Sequence, residues 1–339
     1  MNSYNLVFTT ERSHRHQETA LEAAPEFLKI TMLQAPDKET LMAHLQHADY
    51  LISERVGTID EEIIQAAPQL KLILRLGSLT YDIDVEAARR AGVSVTYWPV
   101  GPVIRVAEHV ILQMLALSKK MCEAEAIALE ASSEWGESKR TDEDTFAYNW
   151  SAREGVDGLW QKTIGILGFG EIGVEMARRL QNWGVTLLYN KRRRLPTTLE
   201  EELNLTYVDV DDLFASSDFV ANLLPYFPET DQWLDKRFFD MMKPGACLVS
   251  SGSGSVINEQ DLADAVRSGK VGGAALDTFE WEPLQPQNPL IHLAKTGYNI
   301  LLTPHIAAGS LSASARERAR YYTNIINHIE NKPLYNQIA

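Results

Sequence analysis

Short apolar runs alternate with helical patterns along almost the whole chain, and this restricts the fold more than any other feature. "NLVFTT", "KITML", "DYLISE", "LKLILRLG" and "VSVTYW" read as strands in the first hundred residues. Helical stretches such as "IDVEAARRAG", closed by a glycine stop, separate them. A second series starts at Lys162 with "KTIGILGF", "VTLLYN", "TYVDV", "DFVANLL", "ACLVSS", "VGGAALDTF" and "NILLTPH". Strands joined through helices pair in parallel, with helices on both faces of the sheet. The expected fold is α/β, with two doubly wound domains.

Three segments fall outside this alternation. "RVAEHVILQMLALSKKM" reads as one long buried helix. The polar stretch "EASSEWGESKRTDEDTFAYNWSAREGVDG" after it is long for a connection in a compact domain. It is either a functional segment or lid, or a variable surface loop. The tail "SASARERARYYTNIINHIEN" reads as one amphipathic helix that belongs against the first sheet.

Composition narrows the class. A chain of 339 residues suggests two domains with ample core. Its 45% apolar and 23% charged residues are a globular mix. A net charge of -14 argues against nonspecific binding to nucleic acid or anionic membrane. Cys122 and Cys247 lie far apart and form no metal-ligand spacing, so they read as reduced, buried thiols and no metal is expected. The start "MNSYNLVFTTERSHRH" lacks the features of a signal peptide, and no apolar run is long enough to span a bilayer. The expected compartment is the cytoplasm.

Chemistry enters at "TIGILGFGEIGVEMARRL", a buried strand, the G-x-G-x-x-G of Gly168, Gly170 and Gly173, and a helix. In such a turn the first glycine permits the bend, the second admits a pyrophosphate, and the third lets helix pack on strand. The helix N-terminus offers free N–H groups to the phosphate. The following strand, "VTLLYN", ends in Asn190 where an acid would hold a ribose 2′-hydroxyl. Lys191, Arg192, Arg193 and Arg194 come next. An acid would repel a 2′-phosphate, whereas asparagine and cations would bind one. The pattern favours NADP, with NAD possible. A solvated basic loop is the bland alternative.

"RVAEHVILQMLAL", "TIGILGFGEIG", "LLPYFPET", "MMKPGACLV", "VINEQDLADAVRSGKVGGAALDTFEWEPL" and "LLTPHIA", in that order, resemble the D-isomer-specific 2-hydroxyacid dehydrogenases over nearly the whole chain. The resemblance implies a Rossmann-type dinucleotide-binding domain, residues 104–303, inserted in a flavodoxin-like substrate domain, residues 1–103 and 304–339. It implies hydride transfer between a nicotinamide cofactor and a 2-keto acid, and a homodimer through the cofactor domain. It carries the general acid onto His305 and its carboxylate partner onto Glu282. It places the cofactor along Gly168, Phe169, Gly170, Glu171, Ile172 and Gly173, then Asn190, Lys191, Arg192 and Arg193. Further contacts fall on Leu224, Pro225, Ser251, Gly252, Ser253, His305 and Ala307, and Asp277 matches the residue that contacts the nicotinamide amide.

The chain departs from the family in its substrate loops. Ser253, followed by Gly254, stands in "SSGSGS" where the family has an arginine that clamps the substrate. Serine supplies neither a fixed charge nor a two-donor fork. Free amides of a glycine-rich turn could still contact an anion. In the first domain the substrate loop corresponds to Gly77, Ser78 and Leu79, with leucine where a second glycine is usual. Tyr97, Trp98 and Arg105 are larger than the usual occupants of the next loop. Arg105 is one candidate to replace the missing charge; Arg140 and Arg153 are others.

Three readings follow. The first is an NADPH-dependent reductase with an atypical 2-keto acid or related substrate. The second is a cofactor-binding sensor or scaffold with little turnover. The third is an isomerase or lyase that keeps its dinucleotide bound.

Overall fold

The computed structural model describes residues 3–54 and 57–339, and for 311–315 the backbone alone. It divides into two units, Met1–Arg105 with Ala308–Ala339, and Val106–Ala307. The chain leaves the first unit within the helix Gly101–Ser118. It returns after Ala307 rather than after residue 303, because the N–H groups of His305, Ile306 and Ala307 all donate to Asp277.

The first unit is built on β1 (Tyr4–Thr10), β2 (Leu28–Gln34), β3 (Tyr50–Glu54), β4 (Leu72–Leu76) and β5 (Ser94–Trp98). All pair in parallel, in the order β2-β1-β3-β4-β5. This is the flavodoxin-like order. β3 and β4 are buried along their whole length, as central strands covered on both faces must be.

Glu54 ends β3 with a fully buried carboxylate. Burial would raise this carboxyl, but contacts from His16, Arg12 and Thr10 outweigh it and lower the carboxyl to about 2. Arg12 Nε lies 2.6 Å away, the Thr10 hydroxyl 2.9 Å and His16 Nε2 3.2 Å.

The tail forms two helices rather than one, Leu311–Arg320 and Thr323–Ile329. Tyr321 and Tyr322 are adjacent and both buried, and the chain tightens between them so that both rings can pack inward. The Tyr321 N–H turns back to Arg318 O, and the Tyr322 hydroxyl donates to Ala20 O at 2.6 Å. His328 packs edge-on to Tyr50 of the sheet. The last residues cover the β5 edge, with the Ile338 N–H on Val95 O.

The second unit holds β6 (Thr163–Leu167), β7 (Thr186–Asn190), β8 (Leu205–Tyr207), β9 (Phe219–Asn222), β10 (Ala246–Ser250), β11 (Val271–Leu276) and β12 (Ile300–Leu302). The order is β12-β11-β10-β9-β6-β7-β8, again parallel. Strand order reverses between β6 and β9, so the ligand crevice of a doubly wound sheet falls at their carboxyl ends. β8 is shorter than "TYVDV" suggests. Asp211 and Asp212 occupy the first turn of the helix Val210–Ser216, where acids favour a helix start.

The long helix expected through Met121 ends at Ser118. Lys120 adopts a left-handed conformation, φ +48°, and a separate helix, Met121–Glu130, follows with no buried residue. Cys122 on it is exposed, contrary to expectation, because this helix packs on no core. Cys247 on β10 is buried, which pushes its thiol up to about 12. The polar connection holds one 3-10 turn, Ser133–Trp135, and is otherwise irregular and largely exposed. Among the described residues no helix is long and apolar enough to cross a membrane, and no His, Cys, Asp and Glu cluster could hold a metal.

Candidate active site

β6 delivers Gly168 in a left-handed conformation, φ +83°, that only glycine adopts without strain. A Cβ there would stand 2.9 Å from the Leu224 nitrogen. No atom lies within 4 Å of the Cβ position of Gly170, which caps the helix Glu171–Leu180. That opening beside a helix N-terminus fits a pyrophosphate. At Gly173 a Cβ would meet the Phe169 ring at 2.8 Å, so the third glycine seats that ring against the helix. The turn therefore fits a dinucleotide.

β7 ends in Asn190, whose carbonyl accepts the N–H groups of Gly168 and Phe169. Its side chain donates to Val208 O at 2.8 Å. Lys191 is half-buried, whereas Arg192, Arg193 and Arg194 are exposed. The Arg192 guanidinium lies 5.0 Å from the centre of the Phe227 ring. Arg194 is engaged elsewhere, with both Glu200 oxygens at 2.8 Å. Arg194 is thus committed to Glu200, while Arg192 and Arg193 stand exposed beside it.

The serine–glycine stretch joins β10 to the helix Glu259–Arg267 of the same sheet. Its amides at 251–253 are not free. Ser251 and Gly252 donate to Asn222 O, and Ser253 donates to Leu224 O at 2.8 Å. The glycines answer close packing rather than an unusual φ. A Cβ on Gly252 would lie 2.6 Å from Leu224 O, and one on Gly254 would lie 2.1 Å from the Phe279 backbone. The Thr278 hydroxyl donates to Gly252 O at 2.7 Å, and the Asp277 N–H donates to Ser250 O. Residues 250–254 therefore rest on Asp277–Phe279.

That segment leads to Glu282. One Glu282 oxygen accepts the Phe279 N–H at 3.0 Å; the other lies 2.6 Å from His305 Nδ1. The anchored carboxylate orients the imidazole and leaves Nε2 for another partner. His305 itself is left-handed, φ +53°, which a non-glycine residue holds only when its surroundings enforce it. Asp277 does so. Its carbonyl accepts the His305 N–H, and its carboxylate accepts Ile306 N–H at 3.0 Å, Ala307 N–H at 2.9 Å and the Thr303 hydroxyl at 2.6 Å. These partners give Asp277, which is fully buried, a task beyond the nicotinamide contact that the resemblance implied. His305 and Glu282 open onto a pocket of about 500 Å³ walled by Phe279, Leu284, Leu302 and Pro304.

Within the first unit, Gly77 follows β4 with φ +133° and donates to Trp98 O. Ser78 is buried and Leu79 half-buried. Arg105 Nε donates to Ala308 O at 2.7 Å, and its Nη2 is buried without a hydrogen bond among the described residues. Arg153 is paired with Glu123, which removes it as a free substrate cation. Arg140 is exposed on the polar connection.

The sequence profile of the NAD binding domain of D-isomer specific 2-hydroxyacid dehydrogenases matches residues 111–307. The chain belongs to the D-isomer specific 2-hydroxyacid dehydrogenase family. The D-3-phosphoglycerate dehydrogenase of Mycobacterium leprae (strain TN) is 32% identical over 304 residues, 89% of this chain and 53% of that protein. The chain thus spans about half the length of such relatives. The glyoxylate reductase of Thermococcus litoralis is 31% identical over 304 residues, 88% of this chain and 86% of that protein. The crystal structure of a Pyrococcus horikoshii OT3 protein superposes with a TM-score of 0.58 at 26% identity, covering 99% of this chain and 95% of that one.

Several supporting residues of this 2-hydroxyacid dehydrogenase family member were not anticipated. Asn222, fully buried at the end of β9, donates to the Ser250 hydroxyl and accepts the Leu224 N–H, joining two cofactor loops. His109 Nε2 lies 3.1 Å from the Thr303 hydroxyl, and Gln113 Oε1 accepts from Ser251 at 3.4 Å. A sequence signal for the last two existed. They are polar residues one turn apart on one face of a largely apolar helix.

Proposed function

We propose that the protein is an NADPH-dependent reductase of an atypical 2-keto acid or related carbonyl compound. The observation that carries this reading is the 2.6 Å contact between His305 and the backbone-anchored Glu282, at the mouth of an apolar pocket. A reduced nicotinamide, when bound along the glycine turn, supplies the hydride. In that direction His305 Nε2–H gives its proton to the carbonyl oxygen while the carbonyl carbon accepts the hydride. Glu282 holds the other imidazole nitrogen and offsets its charge. In the reverse direction the same nitrogen takes the hydroxyl proton. Asp277 keeps His305 in place, and Phe279, Leu284 and Leu302 line the pocket beside the imidazole.

NADPH preference is supported by the absence of an acid at Asn190 and by the basic run that follows it. The relatives named for D-3-phosphoglycerate and glyoxylate act on small 2-keto or 2-hydroxy acids. Ser253 in place of a clamping arginine argues for a less acidic molecule. One observation favours the second reading, a cofactor-binding protein with little turnover: the loop at Ser253 offers neither a guanidinium nor free amides at 251–253. A panel of 2-keto acids, aldehydes and hydroxy acids, run with NADPH and NADH and followed by nicotinamide absorbance, separates the two. Multiple turnovers support the reductase. Tight cofactor binding without turnover across the panel supports the binding protein.

A further inference from the structure

Tyr189 sits fully buried on β7, outside the glycine motif and the catalytic pair. Its hydroxyl accepts the Leu195 N–H at 2.9 Å and donates to Glu200 at 2.6 Å. Glu200, on the helix Thr197–Leu203, has a side chain only 7% exposed, yet its partner Arg194 is 61% exposed. Removing a carboxylate from water is costly unless strong hydrogen bonds replace its hydration. Here a two-bond fork from Arg194 and the Tyr189 hydroxyl do so. An ordinary surface ion pair would need neither the burial nor the tyrosine.

The arrangement fixes one end of the turn after β7. Asn190 fixes the other, through its carbonyl on the glycine turn and its side chain on Val208. Between the two anchors lie Lys191, Arg192 and Arg193, with Arg192 backed by Phe227. We propose that Glu200 and Tyr189 are positioning residues for cofactor choice: they pin Arg194 so that the loop Lys191–Arg193 forms a fixed cationic arch around a ribose 2′-phosphate. Arg194 is a strut of this arch and not a phosphate ligand. A loop held in its bound shape loses less freedom on binding, so its charges contribute more to affinity. The inference rests on the NADPH preference proposed above.

The test is calorimetric titration of NADPH and NADH into the full-length protein and its Glu200→Gln and Tyr189→Phe variants, with circular dichroism confirming the fold. Each substitution is expected to weaken NADPH about tenfold and NADH less than about twofold, since only NADPH uses the arch. Equal weakening of both cofactors would make the network merely structural and overturn the proposal. Tighter NADPH binding in Glu200→Gln would overturn it differently, by showing Arg194 to be a phosphate ligand that Glu200 holds back. A wild-type protein without NADPH preference would remove the underlying reading, and this inference with it. Preference retained in wild type and in both variants would remove this inference alone. Should Glu200→Gln not fold, Tyr189→Phe and Arg194→Ala carry the same expectation.

Discussion

Glu282 holds His305 with one carboxylate oxygen and the Phe279 N–H with the other, at 2.6 and 3.0 Å. The imidazole is therefore oriented by a group that is itself fixed to the backbone. For a reductase, His305→Gln is expected to lower kcat roughly 100- to 10,000-fold, the range of a lost general acid. Cofactor affinity should change little, since His305 lies apart from the glycine turn in sequence and in hydrogen bonding. Steady-state turnover and calorimetry on the same preparation check both parts. Near-normal turnover would remove His305 from the mechanism.

The glycine turn, both sheets and the His305–Glu282 pair were legible because each rests on local pattern. A strand, three glycines and a helix announce the turn, and motif order announces the pair. What escaped was set by packing between distant segments. Glycine at 252 and 254 answers contact with Leu224 and Phe279, which lie far off in sequence. Arg194 reads as one more cation of the basic run, yet Glu200, six residues on, binds it. The tail helix broke because two neighbouring tyrosines both needed burial, which amphipathic spacing alone does not reveal.

Gly254→Ala tests the packing account. Its new methyl would meet the Phe279 backbone at 2.1 Å, a distance that cannot be kept, so the two loops must separate. A loss of about 1–3 kcal/mol or more is expected. The urea midpoint should fall with little change in slope. A midpoint within error of wild type would show that the loops are not in close contact.

Ser253→Arg tests the loop assignment. Ser253 has φ -75° and ψ 134°, a conformation that arginine adopts freely, and its N–H bond to Leu224 O does not involve the side chain. The variant should keep wild-type stability and gain turnover on glyoxylate or pyruvate, because a guanidinium fork can anchor their carboxylate. Initial rates with NADPH measure the gain. Reduced turnover on every substrate would argue that the side chain at 253 blocks the site rather than serving it.

Glu54 gives a pH dependence with a definite sign. Its carboxyl falls from the usual 4.5 to about 2 in the folded chain: burial opposes this, and His16, Arg12 and Thr10 outweigh it. A carboxyl held lower when folded stabilises the fold fully above its unfolded value. That contribution fades as pH falls from 4.5 toward about 2. Glu54→Gln should therefore be less stable than wild type near neutrality, by roughly 3 kcal/mol. The gap should narrow as pH drops below about 5. Denaturant unfolding of both proteins at several pH values tests this, and a gap that stays constant or widens in acid would refute it.

The last prediction concerns assembly. The helix Met121–Glu130 packs on no core, and the irregular segment after it exposes large apolar side chains in quantity. Leu129 is 78% exposed, Phe146 84% and Tyr148 81%, with Trp160 and Met121 also exposed. Isolated apolar residues on a surface are ordinary, but a concentration of large ones along one segment is the motive for proposing an interface. Trp135 and Trp150 already pair edge-to-face within it. We propose that a second copy of the chain covers this segment through the cofactor-binding unit. Sedimentation equilibrium should then give twice the 38.0 kDa chain mass. Leu129→Glu combined with Phe146→Glu should shift the protein to monomer, because a closed symmetric interface would bury each new charge in both copies. A wild-type monomer at micromolar concentration, or a dimer indifferent to both charges, would place the interface elsewhere.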